Sequence, residues 1–310
     1  MRWLVLSPNE VPASPLISVV IPAYNYAHLL SRALDSVFQQ LDEDSELIVV
    51  NDGSTDATLE LLADYQRRYP ALQVISQANA GAAAARNRGI AQARGRYVLL
   101  LDADDELLGS ALSTLAECVR AQPAVGMVLG AQISVYPDGR ERLRVPPAVP
   151  TASPLVLARL YLLQKRISIS HCCSLFRRDL LLQRPYPQGL RSGEDIPVFT
   201  HLLISAPVQV ISTPLARIFK HDDSLRHNRE KEEEYALDMV REVFTSLPAQ
   251  CQSLRQRYTA QRYLSLFRAA QQSGDPVQAR RYYAQALRLS LPQALRWTYL
   301  RKAFRLLFGR

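Results

Sequence analysis

The chain has 310 residues, 48% of them hydrophobic, with a formal net charge of +8, a globular composition that supports a large core and excludes a low-complexity chain. The charge is lopsided: Cys251 to Arg310 carries twelve Lys and Arg against one acid, Asp275, leaving 25 basic and 28 acidic residues before it. The basic character therefore belongs to the tail, and nucleic acid is not an expected partner.

No run of about 18 apolar residues is present, so no membrane-spanning helix is expected. The start, MRWLVLSPNEVPASP, has too short an apolar stretch for a secretory leader, which makes a cytoplasmic location the expectation. Cys118, Cys172, Cys173 and Cys251 have the spacing of neither a zinc site nor a disulfide framework. The adjacent Cys172 and Cys173 read as part of a buried strand in a reducing compartment.

Residues 17–21, ISVVI, predict a buried strand that Pro22 should end, since proline cannot donate in a sheet interior. A helix is expected over 27–39, with Leu30, Ala33, Leu34 and Val37 on one face. ELIVVN predicts a second strand, running into the turn Asp52-Gly53-Ser54-Thr55-Asp56, where Thr55 or Asp56 can cap the next helix. LQVIS is a third strand, 80–93 a helix, and RYVLLLDAD a fourth strand ending in acids. Strands and helices alternating at this spacing specify an α/β fold with a mostly parallel sheet.

Ligands of such sheets bind beyond the carboxyl ends of the strands. Here those ends carry Tyr24 and Asn25, Asp52 to Ser54, Asn79, and Asp102 to Asp105. Four strands aiming polar groups at one rim is a stronger signal than any one of them. Farther on, the pattern predicts a helix over 108–121, a strand VGMVLG, a hairpin at Pro137-Asp138-Gly139 and a proline-rich connector, VPPAVPTASP. HCCSLFRRDLL should be a strand entering a helix, and GEDIPVFTHLLIS two acids ahead of an apolar helix. From about Leu225 the chain should be helical, with its clearest break at Gly274-Asp275-Pro276.

These residues match the needs of a nucleoside diphosphate sugar. If the DAD segment is extended, Asp102 and Asp104 point the same way across Ala103. Two carboxylates with diphosphate oxygens make a hard site suited to Mg²⁺ or Mn²⁺, although an isolated Asp-x-Asp is as readily a solvated turn. Glu194-Asp195 can serve as a helix cap, or one carboxylate can take a proton from an attacking hydroxyl. Asp52 can bond a base or ribose, or merely form its turn. Gly81 allows close backbone approach, and Arg86 serves either phosphate or structure.

Together, ISVVIPAYNYAHLLSRALDSVFQQ, ELIVVNDGSTDATLELL, NAGAAAARNRGIAQARGRYVLLLDADDELL, LFRRDLL and GED resemble the family 2 glycosyltransferases of GT-A fold. The resemblance covers about residues 17–205 and implies inverting transfer from an activated sugar, most simply a UDP-sugar, to a hydroxyl of a glycan or lipid-linked acceptor. It implies that Pro22, Tyr24, Asn25, Asp52, Ser54, Asn79, Gly81 and Arg86 line the nucleotide pocket, with Asp102 and Ala103 beside them. Asp102 and Asp104 resemble the metal-binding DXD pair, and Asp195 the catalytic base. His221, followed by Ser224, resembles a further metal ligand, although its lead-in Ile218-Phe219-Lys220 departs from the family's aromatic-Arg-x pattern.

The expected organisation is a catalytic domain over 1–224 and a basic helical extension over 225–310. SGDPVQARRYYAQALRLS looks like half of a tetratricopeptide-type hairpin, which cannot bury its own face and should pack on the catalytic domain. RWTYLRKAFRLLFGR is basic, aromatic and amphipathic, suiting either an anionic membrane surface or an ordinary helical subdomain. Two competing functions fit the residues less well. A sugar nucleotidyltransferase would carry a Gly-rich phosphate loop where PAYN stands, and a non-catalytic glycan-binding module would have no need of DAD and GED.

Overall fold

A computed structural model describes residues 14–220 and 232–307. In chain order the first elements are β1 (Ile17–Ala23), α1 (Leu30–Phe38), β2 (Ser45–Asn51), α2 (Thr58–Arg68), β3 (Gln73–Ser76), α3 (Ala82–Gln92) and β4 (Tyr97–Leu100). There follow β5 (Glu106–Leu107), α4 (Ala111–Ala121), β6 (Met127–Val135), β7 (Glu141–Arg144), α5 (Pro154–Leu162), β8 (Ser174–Arg177), α6 (Arg178–Gln183), α7 (Asp195–Ser205) and β9 (Val208–Phe219). The C-terminal helices are α8 (Glu232–Thr245), α9 (Ala249–Gln252), α10 (Arg255–Gln272), α11 (Pro276–Leu289), α12 (Leu291–Ala294) and α13 (Trp297–Leu307). They form two compact units. One comprises the residues up to Val145, Ser170–Gln183 and Ile211–Lys220; the other comprises Pro146–Ile169, Arg184–Val210 and the C-terminal helices.

The first unit is built on a mixed sheet of order β3-β2-β1-β4-β8-β6-β9-β5, with β7 beside β6. β3, β2, β1 and β4 are parallel, and β8 and β6 then continue antiparallel. Val19, Val20, Ile21, Leu47 to Val50 and Tyr97 to Leu100 are fully buried, the continuous apolar runs that strands covered on both faces require. The chain runs outward from β1 to β3 and returns to place β4 on the other side of β1, which makes the β1–β4 edge the point where strand order reverses.

Three local details differ from the sequence expectation. Pro22 lies inside β1, in register with Val50. Val20 accepts from Leu101 on the β4 side, and Pro22, two residues on, faces the same way where the β4 ladder has already ended at Leu100, so its missing N–H leaves no gap. Helix α1 starts at Leu30 rather than 27, because the Tyr26 and Ala27 N–H groups donate to Thr58 Oγ1 (3.2 Å) and Asp56 Oδ2 (3.1 Å) instead. Strands β5 and β9 are additional, pairing antiparallel through Glu106–Arg217 and Leu107–Ala216.

In the second unit Ala158 and Leu162 of α5 share a core with Met239, Val243 and Phe244 of α8 and with Cys251 and Tyr258, and Ile196 and Ile204 of α7 pack against it. Arg184 bonds Glu242 (2.8 Å) and Ser246 (3.1 Å). Residues 146–169 and 184–210 precede the expected boundary at 224, yet they group with the C-terminal helices because their apolar faces close this core. The α10–α11 hairpin breaks at Gly274 (φ 72°), and Asp275 caps α11 by accepting from Gln278 N at 3.0 Å. Its apolar face is covered within the tail, where Leu264, Phe267, Ala279 and Ala286 meet Ala294 and Ala303.

Candidate active site

The loops after β1, β2 and β4 open at the reversal point, and each is held by side chains of its neighbours. Asn25, just past β1, has φ 58°, a left-handed backbone that asparagine tolerates better than most residues. Its N–H donates to Ser54 Oγ (3.0 Å), and its Oδ1 accepts from Thr55 N (2.7 Å). Asn25 and Ser54 thus clamp the first loop to the second. Tyr24 beside them is 44% exposed, and Pro22 fixes the strand end below.

Asp52 is buried, and its carboxylate accepts from Gln77 Nε2 (2.8 Å), Ala80 N (2.9 Å) and Gly81 N (2.8 Å). It therefore shapes the 77–81 loop that carries the exposed Asn79 into α3. Gly81 (φ 88°) caps that helix. From α3 the buried Arg86 reaches Asp102 Oδ1 at 3.3 Å.

The DAD segment is a turn. Asp105 N donates to Asp102 O at 3.1 Å, so the chain doubles back and the alternation expected of an extended Asp102-Ala103-Asp104 does not hold. Ala103 is buried, Asp102 remains 37% exposed, and the Asp104 carbonyl accepts from Arg32. Asp105 is turned inward. Its Oδ1 accepts from Phe219 N (2.9 Å) and its Oδ2 from the Cys172 thiol (2.9 Å). Burial, reinforced by the charges of Asp102 and Asp104, pushes its carboxyl up to about 7 against those hydrogen bonds.

Three residues of this centre carry no sequence signal of their own: Tyr26, His171 and Cys172. The Tyr26 hydroxyl is raised by burial and by the charges of Asp104, Asp102 and Asp105. Burial and the Arg86 charge hold His171 neutral down to about 3, against the opposing pull of Asp102. Asp102, Asp105 and Cys172 offer donor atoms within 4.8 Å of one another. Burial raises the Cys172 thiol well above its usual range, and its proton serves Asp105, so sulfur is the poorest donor of this set. The carboxylates fit better, since oxygen donors and concentrated negative charge suit a hard divalent cation.

Asp195 belongs to the second unit, as the first residue of α7. Glu194 has helical φ and ψ (−56°, −18°) and Ile196 N donates to Gly193 O, so the pair starts a helix rather than an extended segment. Gly193 has φ 75°, and a Cβ there would lie 2.7 Å from Met239 Cε. That methyl is the movable end of a flexible side chain, so it is the left-handed backbone that favours glycine in the turn that delivers Asp195. The charge of Asp195 is felt by the buried hydroxyls of Tyr161 and Tyr258. His221 lies outside the described residues.

The model of glycosyl transferase family 2 matches residues 18–183, more than half of the chain. The chain belongs to glycosyl transferase family 2. Among its relatives, the uncharacterized glycosyltransferase YibD of Escherichia coli (strain K12) is 43% identical over 99 residues, 32% of this chain and 29% of that protein. The chondroitin synthase of Pasteurella multocida (strain Pm70) is 34% identical over 138 residues, 44% of this chain and 14% of that one. The matches thus span less than a third of the length of these curated relatives. In structure, this family 2 chain is similar to Staphylococcus aureus TarS residues 1–349 in complex with UDP-GlcNAc, with TM-score 0.65, 21% identity, and cover of 88% of this chain and 81% of that one. It is also similar to the mannosyltransferase PcManGT of Pyrobaculum calidifontis in complex with GDP-Man and Mn²⁺, with TM-score 0.55, 18% identity, and cover of 96% and 82%. At these identities the likeness establishes the GT-A fold.

Proposed function

We propose that this family 2 protein transfers one sugar, with inversion, from a nucleoside diphosphate sugar to a hydroxyl of a glycan or lipid-linked acceptor. The observation that carries the reading is the acidic turn Asp102–Asp105 after β4, at the point of strand reversal, with Arg86 against it. UDP-GlcNAc in TarS and GDP-Man with Mn²⁺ in PcManGT support a sugar nucleotide as donor, and the similarity to chondroitin synthase supports a polysaccharide product.

Tyr24 offers an exposed ring for the base. Asn25, Ser54 and Asp52 hold the two loops that frame it, and Gly81 leaves room for close backbone approach beside Asn79. Asp102 and Asp104 would hold Mn²⁺ or Mg²⁺, with His221 as a third ligand, and such a cation would supply positive charge to balance the leaving diphosphate. Arg86 orients the Asp102 carboxylate through their ion pair. Asp195 accepts the proton of the acceptor hydroxyl as that oxygen attacks the anomeric carbon opposite the leaving group, which inverts the centre. The basic tail, with its exposed Trp297, is proposed to rest on an anionic membrane surface where lipid-linked acceptors lie.

Release of nucleoside diphosphate from a panel of sugar nucleotides, with and without Mn²⁺, tests the assignment. Turnover should depend on Mn²⁺ and be lost in Asp104→Ala, whose melting temperature should match wild type. Unchanged Mn²⁺-dependent donor affinity in that variant would remove Asp104 from the metal site, and no turnover of any sugar nucleotide by wild type would remove the transferase assignment itself.

A further inference from the structure

The second unit contains a cavity of about 320 Å³ whose lining includes Tyr161, Lys165, Ser168, Ile196, Tyr258 and Arg262. Two cations line it, and no carboxylate of the described residues does. Arg262 reaches toward the Tyr258 ring, its guanidinium carbon 5.4 Å from the centroid, and its Nε is buried with no hydrogen-bond partner among the described residues. Neither Lys165 nor Arg262 has an ion-pair partner among the described residues. Lys165 stands just past α5 with φ 51°, a left-handed backbone that glycine would adopt at no steric cost. The cavity adjoins Asp195: the next residue, Ile196, lines its wall, and the charge of Asp195 reaches the hydroxyls of Tyr161 and Tyr258.

We infer that this cavity is an acceptor subsite for an anionic group, with Lys165 and Arg262 binding a phosphate or carboxylate of the acceptor molecule beside Asp195. A guanidinium and an ammonium with no ion-pair partner among the described residues, facing one small volume, are the arrangement that an oxyanion completes. Tyr161 and Tyr258 hydroxyls and Ser168 supply neutral hydrogen bonds for the sugar or polyol that carries the charge. The inference deepens the transferase assignment, and rests on it, by giving the acceptor a charge.

The test is a titration of the full-length protein with glycerol phosphate, glucuronate and uncharged glycerol, followed by ligand-observed NMR, for wild type, Lys165→Gln, Arg262→Gln and the double variant. Wild type should bind at least one of the two anions and not glycerol, and which anion binds identifies phosphate or carboxylate as the group. Binding should weaken by about tenfold or more in the double variant, while UDP binding is unchanged. Lys165 is exposed, so its substitution preserves the fold even if Arg262→Gln does not. In transfer assays the single variants should raise KM for a charged acceptor, with donor KM unchanged and no effect on a neutral acceptor. Absence of anion binding by wild type, or equal binding by wild type and the double variant, overturns the inference. The titration needs no turnover, so a failure of the transferase assignment shows separately, in the sugar-nucleotide assay.

Discussion

Asp195 enters α7 from a turn whose left-handed backbone at Gly193 strains any larger residue, and its charge reaches two buried tyrosine hydroxyls, Tyr161 and Tyr258. Asp195→Asn retains size and most hydrogen bonding while removing the proton acceptor. It should lower kcat by about 10² to 10⁴-fold, the usual worth of a general base, with donor KM within a few-fold of wild type. Steady-state kinetics decides it, and near-normal kcat would make this carboxylate structural. The DAD acids stand out in the sequence because they follow an apolar run at a chain turn, and Asp195 because it stands between a glycine-containing loop and an apolar helix. Cys172 and His171 do not, since their spacing fits no ligand motif. They reach Asp102 only because β8 pairs antiparallel with β4, a contact spanning about seventy positions that no local pattern encodes. In the sequence Asp105 is one more rim acid. The structure makes it a buried anchor between Cys172 and Phe219, a role fixed by partners far along the chain.

At the scale of elements, the parallel half of the sheet was readable because buried parallel strands are nearly uninterrupted apolar runs. Strand β9 was not, because VQVISTPLARIF includes Pro214 and is only partly buried along its first half. Two-residue β5 is too short for any period to show. Helix α3, which presents Gly81 and Arg86 to the site, lies on the sheet at a distance set by Gly89. A Cβ at Gly89 would stand 2.3 Å from Val20 Cγ1 and 3.2 Å from Val50 Cγ2. Val20 is β-branched and fully buried in a central strand, so it cannot swing aside. Gly89→Ala would gain up to about 1 kcal/mol of helix propensity and lose about 1 to 3 kcal/mol to overpacking. The loss should win, lowering the urea midpoint, and the displaced α3 should also weaken UDP-sugar binding. A variant more stable than wild type with unchanged donor affinity would show that α3 has slack against the sheet. Arg88→Ala, exposed on the same helix, is the control and should leave both unchanged.

At the scale of the whole molecule, charge and apolar exposure concentrate in the same segment. Trp297 is 73% exposed and Leu295 50%, in a tail region that carries twelve basic residues and one acid. An amphipathic, basic, Trp-bearing helix end is suited to the headgroup region of an anionic bilayer, where apolar burial and charge attraction act together. Part of α13 is already committed elsewhere. Ala303 and Tyr299 pack into the core formed by α10, α11 and α12, and Gln271 donates to the Lys302 carbonyl. Deleting the tail would therefore unfold its own supports and confuse loss of binding with loss of structure. Leu295→Ser with Trp297→Ser removes the exposed apolar surface and leaves that core intact. The double variant should keep the wild-type melting temperature and sediment less with anionic vesicles. For wild type, binding should weaken as salt rises, because exposed charges are screened over about 8 to 10 Å at ordinary ionic strength. Neutral vesicles should bind neither protein appreciably. Equal sedimentation of variant and wild type on anionic vesicles would show that these side chains do not meet the membrane, and the C-terminal helices would then stand as a packed subdomain with a solvated basic face.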